Sequence, residues 1–242
     1  MKTCRLCLTE TSLIKAHVIP ECFMSLPPAE EGVAKILTNS PGRYPKKMRT
    51  GIYDKGILCA KCDARLGLLD QHAAERLVRS NAIEEVPIGH RVYRKYLSAD
   101  PLLTHQFAAS VVWRASISSH EFFAKVKLGP YQEIIRNSLL REERDARVGT
   151  LLAEFDVPDV AILNPQSTRF DGVNFWVLYA NRFIIYLKVD QRPMPGYFAE
   201  LELRAGRCTA SIIRSLNDSK ELGVLKKLAF ANPTAFGPRR TE

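Results

Sequence analysis

The sequence lacks the long apolar segments that membrane insertion and secretion require. No run in the 242 residues approaches the roughly 18 consecutive apolar residues of a membrane-spanning helix. The first residues, Met1-Lys2-Thr3-Cys4, contain no apolar signal core. We therefore expect a cytoplasmic protein without a membrane partner, in a reducing compartment where thiols stay free.

Cysteine is also scarce, with six residues in the whole chain, too few for the disulfide framework of a secreted protein. Four of the six nevertheless form two Cys-x-x-Cys pairs, Cys4/Cys7 and Cys59/Cys62. Zn²⁺ prefers four tetrahedral ligands, and two such pairs supply four thiolates. Ordinary buried thiols or a redox-active pair are the alternatives. Because the same spacing occurs twice, we predict a structural zinc site at these four cysteines.

Acidic residues are outnumbered, 26 against 35 lysines and arginines, which leaves a net charge of +9. Such a balance favours nucleic acid or another anionic surface as the partner. The stretch from Gly42 to Arg49 has four cations and no acid. We predict that these cations contact phosphates, and the alternative is a solvated loop. They are Arg43, Lys46, Lys47 and Arg49.

The spacing of apolar residues and the positions of Pro and Gly predict an α+β protein with two domains. The first covers residues 1–80 and includes a basic, Pro- and Gly-punctuated insertion over 21–50. Apolar residues at helical spacing, from Leu66 to Leu77, predict a helix over 63–80.

The second predicted domain, residues 81–242, is larger and mixed. Its pattern predicts helices between about 101 and 147, the second of them over 130–147. A β-rich part follows over 160–215. Within it, two apolar runs predict a hairpin over 174–189.

Three motifs of the first domain resemble a known family. They are Cys4-x-x-Cys7, then Ala16-His17-Val18-Ile19-Pro20, then Asp54 with Leu58-Cys59-x-x-Cys62-Asp63. Together they resemble the HNH endonuclease module, also called the His-Me finger or ββα-metal module, over residues 4–72. The resemblance implies a zinc-stabilised ββα-metal fold and metal-dependent hydrolysis of phosphodiester bonds, with DNA as the expected substrate. Proteins of this kind often serve in phage-encoded functions, phage defence or mobile elements.

The resemblance also implies roles for individual residues. His17 falls on the general base that activates the attacking water. Asp54 lies where the family usually has an asparagine that helps to orient this base. Asp63 falls on a ligand of the catalytic ion, Mg²⁺ or Mn²⁺, and a hard oxygen ligand suits either ion.

Two positions depart from the family pattern. Ala16 stands where a metal-binding Asp or His often precedes the base, and Gly67 stands where a second helix ligand is expected. Asp70 lies seven residues after Asp63, on the same helix face, so we assign it to the catalytic ion as well. His72 lies about 180° around the helix from Asp63 and is expected to point elsewhere.

Two other functions stay open at this stage. The departures at Ala16 and Gly67 would also suit a zinc-dependent nucleic-acid-binding protein that has lost catalysis. A protein-interaction adaptor, in which the zinc is purely structural and the charge incidental, is the second alternative. Residues 81–242 resemble no family, and we expect them to position substrate or to bind a protein partner or a second copy of the chain.

Overall fold

The computed structural model describes residues 1–23, 34–36, 46–48, 52–157 and 163–231. For 34–36, for 46–48 and for positions 228, 229 and 231 it describes the backbone alone. Helices and strands both occur along the chain, mostly in separate runs, so the protein is of the mixed α+β class, as the sequence predicts.

The first part of the chain consists of short two-stranded ribbons around the cysteine pairs. Strand β1 (Lys2–Thr3) pairs with β2 (Glu10–Thr11), and β3 (Ala16–His17) pairs with β6 (Tyr53–Asp54), both antiparallel. Between them, β4 (Ala34–Ile36) pairs with β5 (Lys46–Met48). A 3₁₀ turn covers Glu21–Phe23.

Helix α1 (Ala60–Ala73) follows the β3–β6 ribbon and ends in a π-helical turn, Ala74–Val78. It begins three residues before the predicted start at 63, because Cys59 rather than Cys62 is its N-cap residue. Leu66 and Leu77 are buried, which confirms the apolar face inferred from their spacing.

The rest of the chain builds one seven-stranded sheet. Its strands are β7 (Ile83–Ile88), β8 (Arg91–Tyr96), β9 (Val148–Phe155), β10 (Gln166–Phe170), β11 (Val173–Ala180), β12 (Phe183–Val189) and β13 (Thr209–Arg214). They lie in the order β10-β11-β12-β9-β13-β8-β7. All neighbours are antiparallel except β13 and β9, which are parallel.

Four more α-helices accompany this sheet: α2 (Pro101–Ile117), α3 (Tyr131–Arg141), α4 (Gly196–Ala199) and α5 (Lys220–Ala231). A 3₁₀ turn over Glu121–Phe123 lies between α2 and α3. Helix α2 is the central one, because it contacts α1, α3 and strands β9 and β12. Asp100 caps its N-terminus by accepting a hydrogen bond from the Leu103 N–H at 2.8 Å, and Pro101 occupies its first turn.

The sheet divides the core into two sides. On one side, alternate residues of β11 and β12, such as Leu178 and Ile185, join α2, α3 and the cysteine-bearing segment in one continuous hydrophobic cluster. On the other side, Tyr179 and Ile184 belong to a smaller cluster under α5, and Phe175 belongs to another one under α4. Residues before and after position 80 therefore share one core, and the division into domains at that point stays a prediction.

The predictions for the second part hold for some elements and fail for others. The hairpin over 174–189 is confirmed, with Asn181 in the left-handed conformation at its turn. The helix predicted over 130–147 ends at Arg141, where Glu142 adopts a left-handed cap. Strand β9 was not predicted, because it is buried on both faces and shows no alternation. Residues 158–162, at the start of the predicted β-rich part, lie outside the described residues.

No helix in the described part of the chain is long and apolar enough to cross a membrane.

Candidate functional site

The four paired cysteines come together in one cluster. Their Sγ atoms all lie within 4.8 Å of one another. In a tetrahedral zinc site with Zn–S bonds of about 2.3 Å, the sulfur atoms are about 3.8 Å apart. The four sulfurs therefore fit a zinc ion, and the Cys4, Cys7, Cys59 and Cys62 side chains can hold a metal of this type.

Tight local structure brings the two pairs to this point. In the first pair, the Leu8 N–H donates to the Cys4 carbonyl at 2.9 Å, which closes a narrow turn inside the β1–β2 hairpin. In the second pair, Cys59 caps helix α1 and Cys62 lies in its first turn. The Cys59 N–H also donates to Cys4 Sγ, with 3.4 Å between nitrogen and sulfur, and so joins the two pairs.

The thiols of the cluster are not equivalent in the absence of a metal. Hydrogen bonding to Thr9 is the main cause that lowers the pKa of the Cys7 thiol, to about 6. Burial raises the pKa of the Cys62 thiol well above its usual range. A bound zinc ion would stabilise the thiolate form of all four side chains and release their protons.

The ribbon next to the cluster carries His17. The half-buried His17 lies opposite Tyr53, and Ala16 lies opposite Asp54. Because side chains alternate along a strand, His17 and Tyr53 share one face of the ribbon, while Ala16 and Asp54 share the other. On the His17 face, the ammonium of Lys15 lies 3.7 Å from the centre of the Tyr53 ring.

Asp54 is held on its own face of the ribbon by hydrogen bonds. Its Oδ1 accepts from the Gly56 N–H at 2.7 Å, which closes the turn after β6. Its Oδ2 accepts from the Ser119 N–H at 2.7 Å and from the hydroxyls of Ser118 and Ser119 at 3.0 and 2.9 Å. Burial alone would raise the pKa of the Asp54 carboxyl. The hydrogen bonds from these donors have the larger combined effect, so the pKa is lowered. The structure thus ties Asp54 to the segment after α2, and its predicted role in orienting His17 stays a prediction.

Asp63 lies in the first turn of α1, near His17. Burial raises the pKa of its carboxyl; the charges of Arg114 and His17 oppose this rise, and the charge of Asp70 adds to it. These through-space interactions put the three sequence-predicted residues His17, Asp63 and Asp70 in one neighbourhood.

Arg114 on α2 lies at the centre of this neighbourhood. Its guanidinium forms a two-pronged ion pair with Asp70, Nη1 to Oδ2 at 2.8 Å and Nη2 to Oδ1 at 2.6 Å. Nη1 also donates to the main-chain carbonyl of His17 at 3.0 Å. The Arg114 side chain is only 1% exposed, so it links α2, α1 and β3 from within the core.

Sequence reasoning missed Arg114, although the sequence contains a signal. It is the only Lys, Arg, Asp or Glu between Pro101 and Ile117, in an otherwise apolar and neutral helix. A charge in the middle of a buried helix needs a partner. Nothing in the local pattern identifies that partner, because Asp70 lies 44 positions away.

The predicted catalytic ion has one uncommitted carboxylate here rather than two. Both Asp70 oxygens accept from Arg114, which leaves Asp63 as the available acidic ligand. Within the described ranges, the four cysteines are the only group of three or more His, Cys, Asp or Glu side chains close enough to hold an ion. Mg²⁺ often binds through one or two carboxylates together with waters and substrate phosphates. Asp63 can supply the protein ligand of such a site, and water and substrate phosphate would supply the others.

The remaining predicted residues are placed as follows. His72 lies beside α2, where its Nε2 is 3.4 Å from Thr104 Oγ1, and its expected orientation away from Asp63 stays a prediction. Arg43 and Arg49 lie outside the described residues. Lys46 and Lys47 belong to β5, whose side chains are not described. The predicted phosphate contacts of this segment stay a prediction.

Comparison with known proteins adds no relative: the chain matches no protein-family model, no curated protein and no solved structure.

Proposed function

We propose that the protein is a metal-dependent endonuclease of the HNH type, which hydrolyses phosphodiester bonds of DNA with His17 as general base. The proposal depends chiefly on one arrangement: a histidine on a two-stranded ribbon and a carboxylate in the first turn of the next helix are close enough for their charges to interact, and one buried arginine is in reach of both. Cysteines at the N-terminus of that helix and in the β1–β2 hairpin join this hairpin to the helix beside the ribbon.

The proposal assigns a role to each of these residues. His17 would take a proton from the attacking water. Asp63 would hold Mg²⁺ or Mn²⁺, and a divalent ion there would stabilise charge that develops on the phosphate and the leaving oxygen. Arg114 is too buried to touch substrate, so we assign it as a positioning residue that holds the His17 main chain and the Asp70 side chain. The net charge of +9 favours a polyanionic substrate.

Cleavage assays with matched variants test this proposal. Purified protein is incubated with plasmid DNA, linear DNA and RNA in Mg²⁺ or Mn²⁺, beside His17→Ala and Asp63→Ala. We expect DNA cleavage that both variants lose while they keep one zinc per chain and the wild-type unfolding midpoint. Glu10→Gln, an exposed acid on the cysteine hairpin, serves as the matched control and should cleave normally. Full activity of Asp63→Ala would remove the metal assignment.

One observation favours a second function, zinc-dependent nucleic-acid binding without catalysis. Arg114 neutralises Asp70, so the protein offers the ion a single uncommitted carboxylate. Under this function no substrate is cut, yet DNA is bound with an affinity that falls steeply with salt. Absence of both cleavage and salt-dependent binding would instead support the adaptor function.

A further inference from the structure

A cavity of about 330 Å³ lies on the face of the seven-stranded sheet that points away from α2. Its wall runs from β10 to β8 across the sheet and is completed by side chains of α4 and α5. This volume is at the lower end of the range for small-molecule sites. None of its lining residues takes part in the site around His17.

One part of the wall is aromatic. Phe170 makes edge-to-face contacts with Tyr186, at 5.8 Å between ring centres, and with Phe198, at 5.1 Å. Phe170, Tyr186 and Phe198 are only partly buried, so ring surface stays accessible from the cavity. Such a wall can receive a planar ring by stacking or by edge contact.

Another part of the wall is polar and connected. Arg214 donates to the Tyr186 hydroxyl at 2.7 Å and lies 3.3 Å from the Glu221 carboxylate. The Tyr179 hydroxyl donates to the same carboxylate at 2.9 Å. These groups offer both donors and acceptors beside the aromatic wall. These groups already bond to one another, so an aliphatic chain would gain nothing from them, whereas the edge of a nucleobase can use the donor and acceptor capacity that they retain.

The rim of the cavity is cationic. Arg91 on β8 and Lys220 at the start of α5 are exposed, and neither forms an ion pair with a described acid. With Arg214 they give three positive charges in the lining against one buried carboxylate, that of Glu221. Charge complementarity therefore selects an anion.

We propose that this cavity binds a nucleotide, with the base against the aromatic and polar wall and the phosphate at Arg91 and Lys220. The site is separate from the proposed nuclease centre, because the sheet lies between the cavity and α2. The inference is therefore independent of whether the protein cuts DNA.

Calorimetry on the full chain tests the ligand class, with the four nucleoside 5′-monophosphates as probes. We expect at least one of them to bind. The corresponding nucleoside and ribose 5-phosphate should each bind at least tenfold more weakly, because each lacks half of the contacts. Binding of decanoate without binding of any nucleotide would overturn the proposal in favour of an aliphatic anion, and absence of all binding would also overturn it.

Two variants with opposite charge then locate the site. The double variant Arg91→Glu/Lys220→Glu should bind the nucleotide at least tenfold more weakly with an unchanged unfolding midpoint, because both side chains are exposed. Lys226→Glu, an exposed change on the same helix outside the cavity, should bind like the wild type. Nucleotide-induced NMR shifts are expected at the Val177 and Ile212 methyls and not at those of Val18 or Leu66. Equal affinity of the double variant, or shifts confined to Val18 and Leu66, would place the nucleotide elsewhere and overturn the proposal.

Discussion

The guanidinium of Arg114 and the carboxylate of Asp70 form a two-pronged ion pair between α2 and α1, and the same guanidinium holds the carbonyl of His17. The Arg114 side chain is 1% exposed and that of Asp70 is 19% exposed, so water screens the pair only weakly. These three bonds tie the helix that carries Asp63 to the strand that carries His17.

Removal of one member of this pair should cost much more than removal of a surface pair. We expect Asp70→Asn to lower the free energy of unfolding by about 3 kcal/mol, because it leaves a buried guanidinium without its counter-charge. Arg114→Lys should also be destabilising, since an ammonium cannot reproduce the fork geometry. Urea unfolding measures both.

The control for this prediction is Glu84→Gln, which breaks the exposed pair with Lys95 between β7 and β8. It should change stability by less than about 1 kcal/mol. If Asp70→Asn is no more destabilising than Glu84→Gln, the ion pair does not hold the site together.

Asp54 should act as a structural anchor with a defined pH dependence. Asp54→Asn should lower the free energy of unfolding by about 2 kcal/mol, because an amide accepts the hydrogen bonds of Gly56, Ser118 and Ser119 more weakly than a carboxylate. The folded-state pKa is lowered, so the unfolded state binds the proton first. The extra stability of the wild type is therefore present above pH 3.8, the ordinary value, and lost as the pH falls below it.

Urea unfolding of wild type and Asp54→Asn at pH 7 and near pH 3 measures this difference. Asp218→Asn, a change at an exposed acid, should stay within about 0.5 kcal/mol of wild type at pH 7. The difference in the free energy of unfolding between wild type and Asp54→Asn should shrink toward pH 3. If it grows instead, the prediction is wrong.

Zinc content should depend on the paired cysteines alone. Cys7→Ser is expected to reduce bound zinc from about one ion per chain to a small fraction of that value, because the site loses one of its four thiolates. Cys208→Ser, a change at an exposed cysteine far from the cluster in sequence, should leave the zinc content unchanged. Elemental analysis of purified protein gives the ratio, and full zinc in Cys7→Ser would rule out the four-cysteine site.

His105 should make the fold sensitive to mild acid. It is buried on α2, where its Nδ1 lies 2.8 Å from Thr150 Oγ1, and burial lowers its pKa from 6.5 to about 3. Between these two pH values the unfolded state binds a proton that the folded state does not, so stability falls as the pH drops below 6.5. From pH 6.5 to pH 5 the loss from this residue is about 2 kcal/mol.

Replacement of His105 by Gln isolates this contribution. Over the same pH range the variant should lose about 2 kcal/mol less stability than the wild type, whatever its stability at pH 7. Parallel pH profiles for the two proteins would show that His105 takes up no proton on unfolding.

The features that the sequence predicted correctly depend on short spacing. The cysteine pairs predict the cluster, because two Cys-x-x-Cys pairs in one chain are typical of a shared metal site. The apolar repeat from Leu66 to Leu77 predicts most of α1. The hairpin over 174–189 follows from two β-rich runs separated by a turn residue. In each case neighbours in sequence are also neighbours in space.

The features that escaped prediction depend on contacts between distant residues. The bond from Arg114 to His17 joins positions 97 apart, and no periodicity encodes it. The helix face of Asp70 assigns it to a catalytic ion, which stays a prediction, but that face does not reveal that a buried arginine from another helix binds both of its oxygens. Strand β9 escaped because a central strand buried on both sides has no alternation to detect.

Helix α2 reaches the two ends of one very short ribbon: Arg114 holds the His17 carbonyl, and the serines just after the helix hold Asp54. Each ribbon strand has only two residues and could not keep its geometry alone. The cysteine-bearing segment therefore cannot be transferred to another protein as an independent unit. Without α2 it would keep its zinc ligands but lose the side chains that position His17.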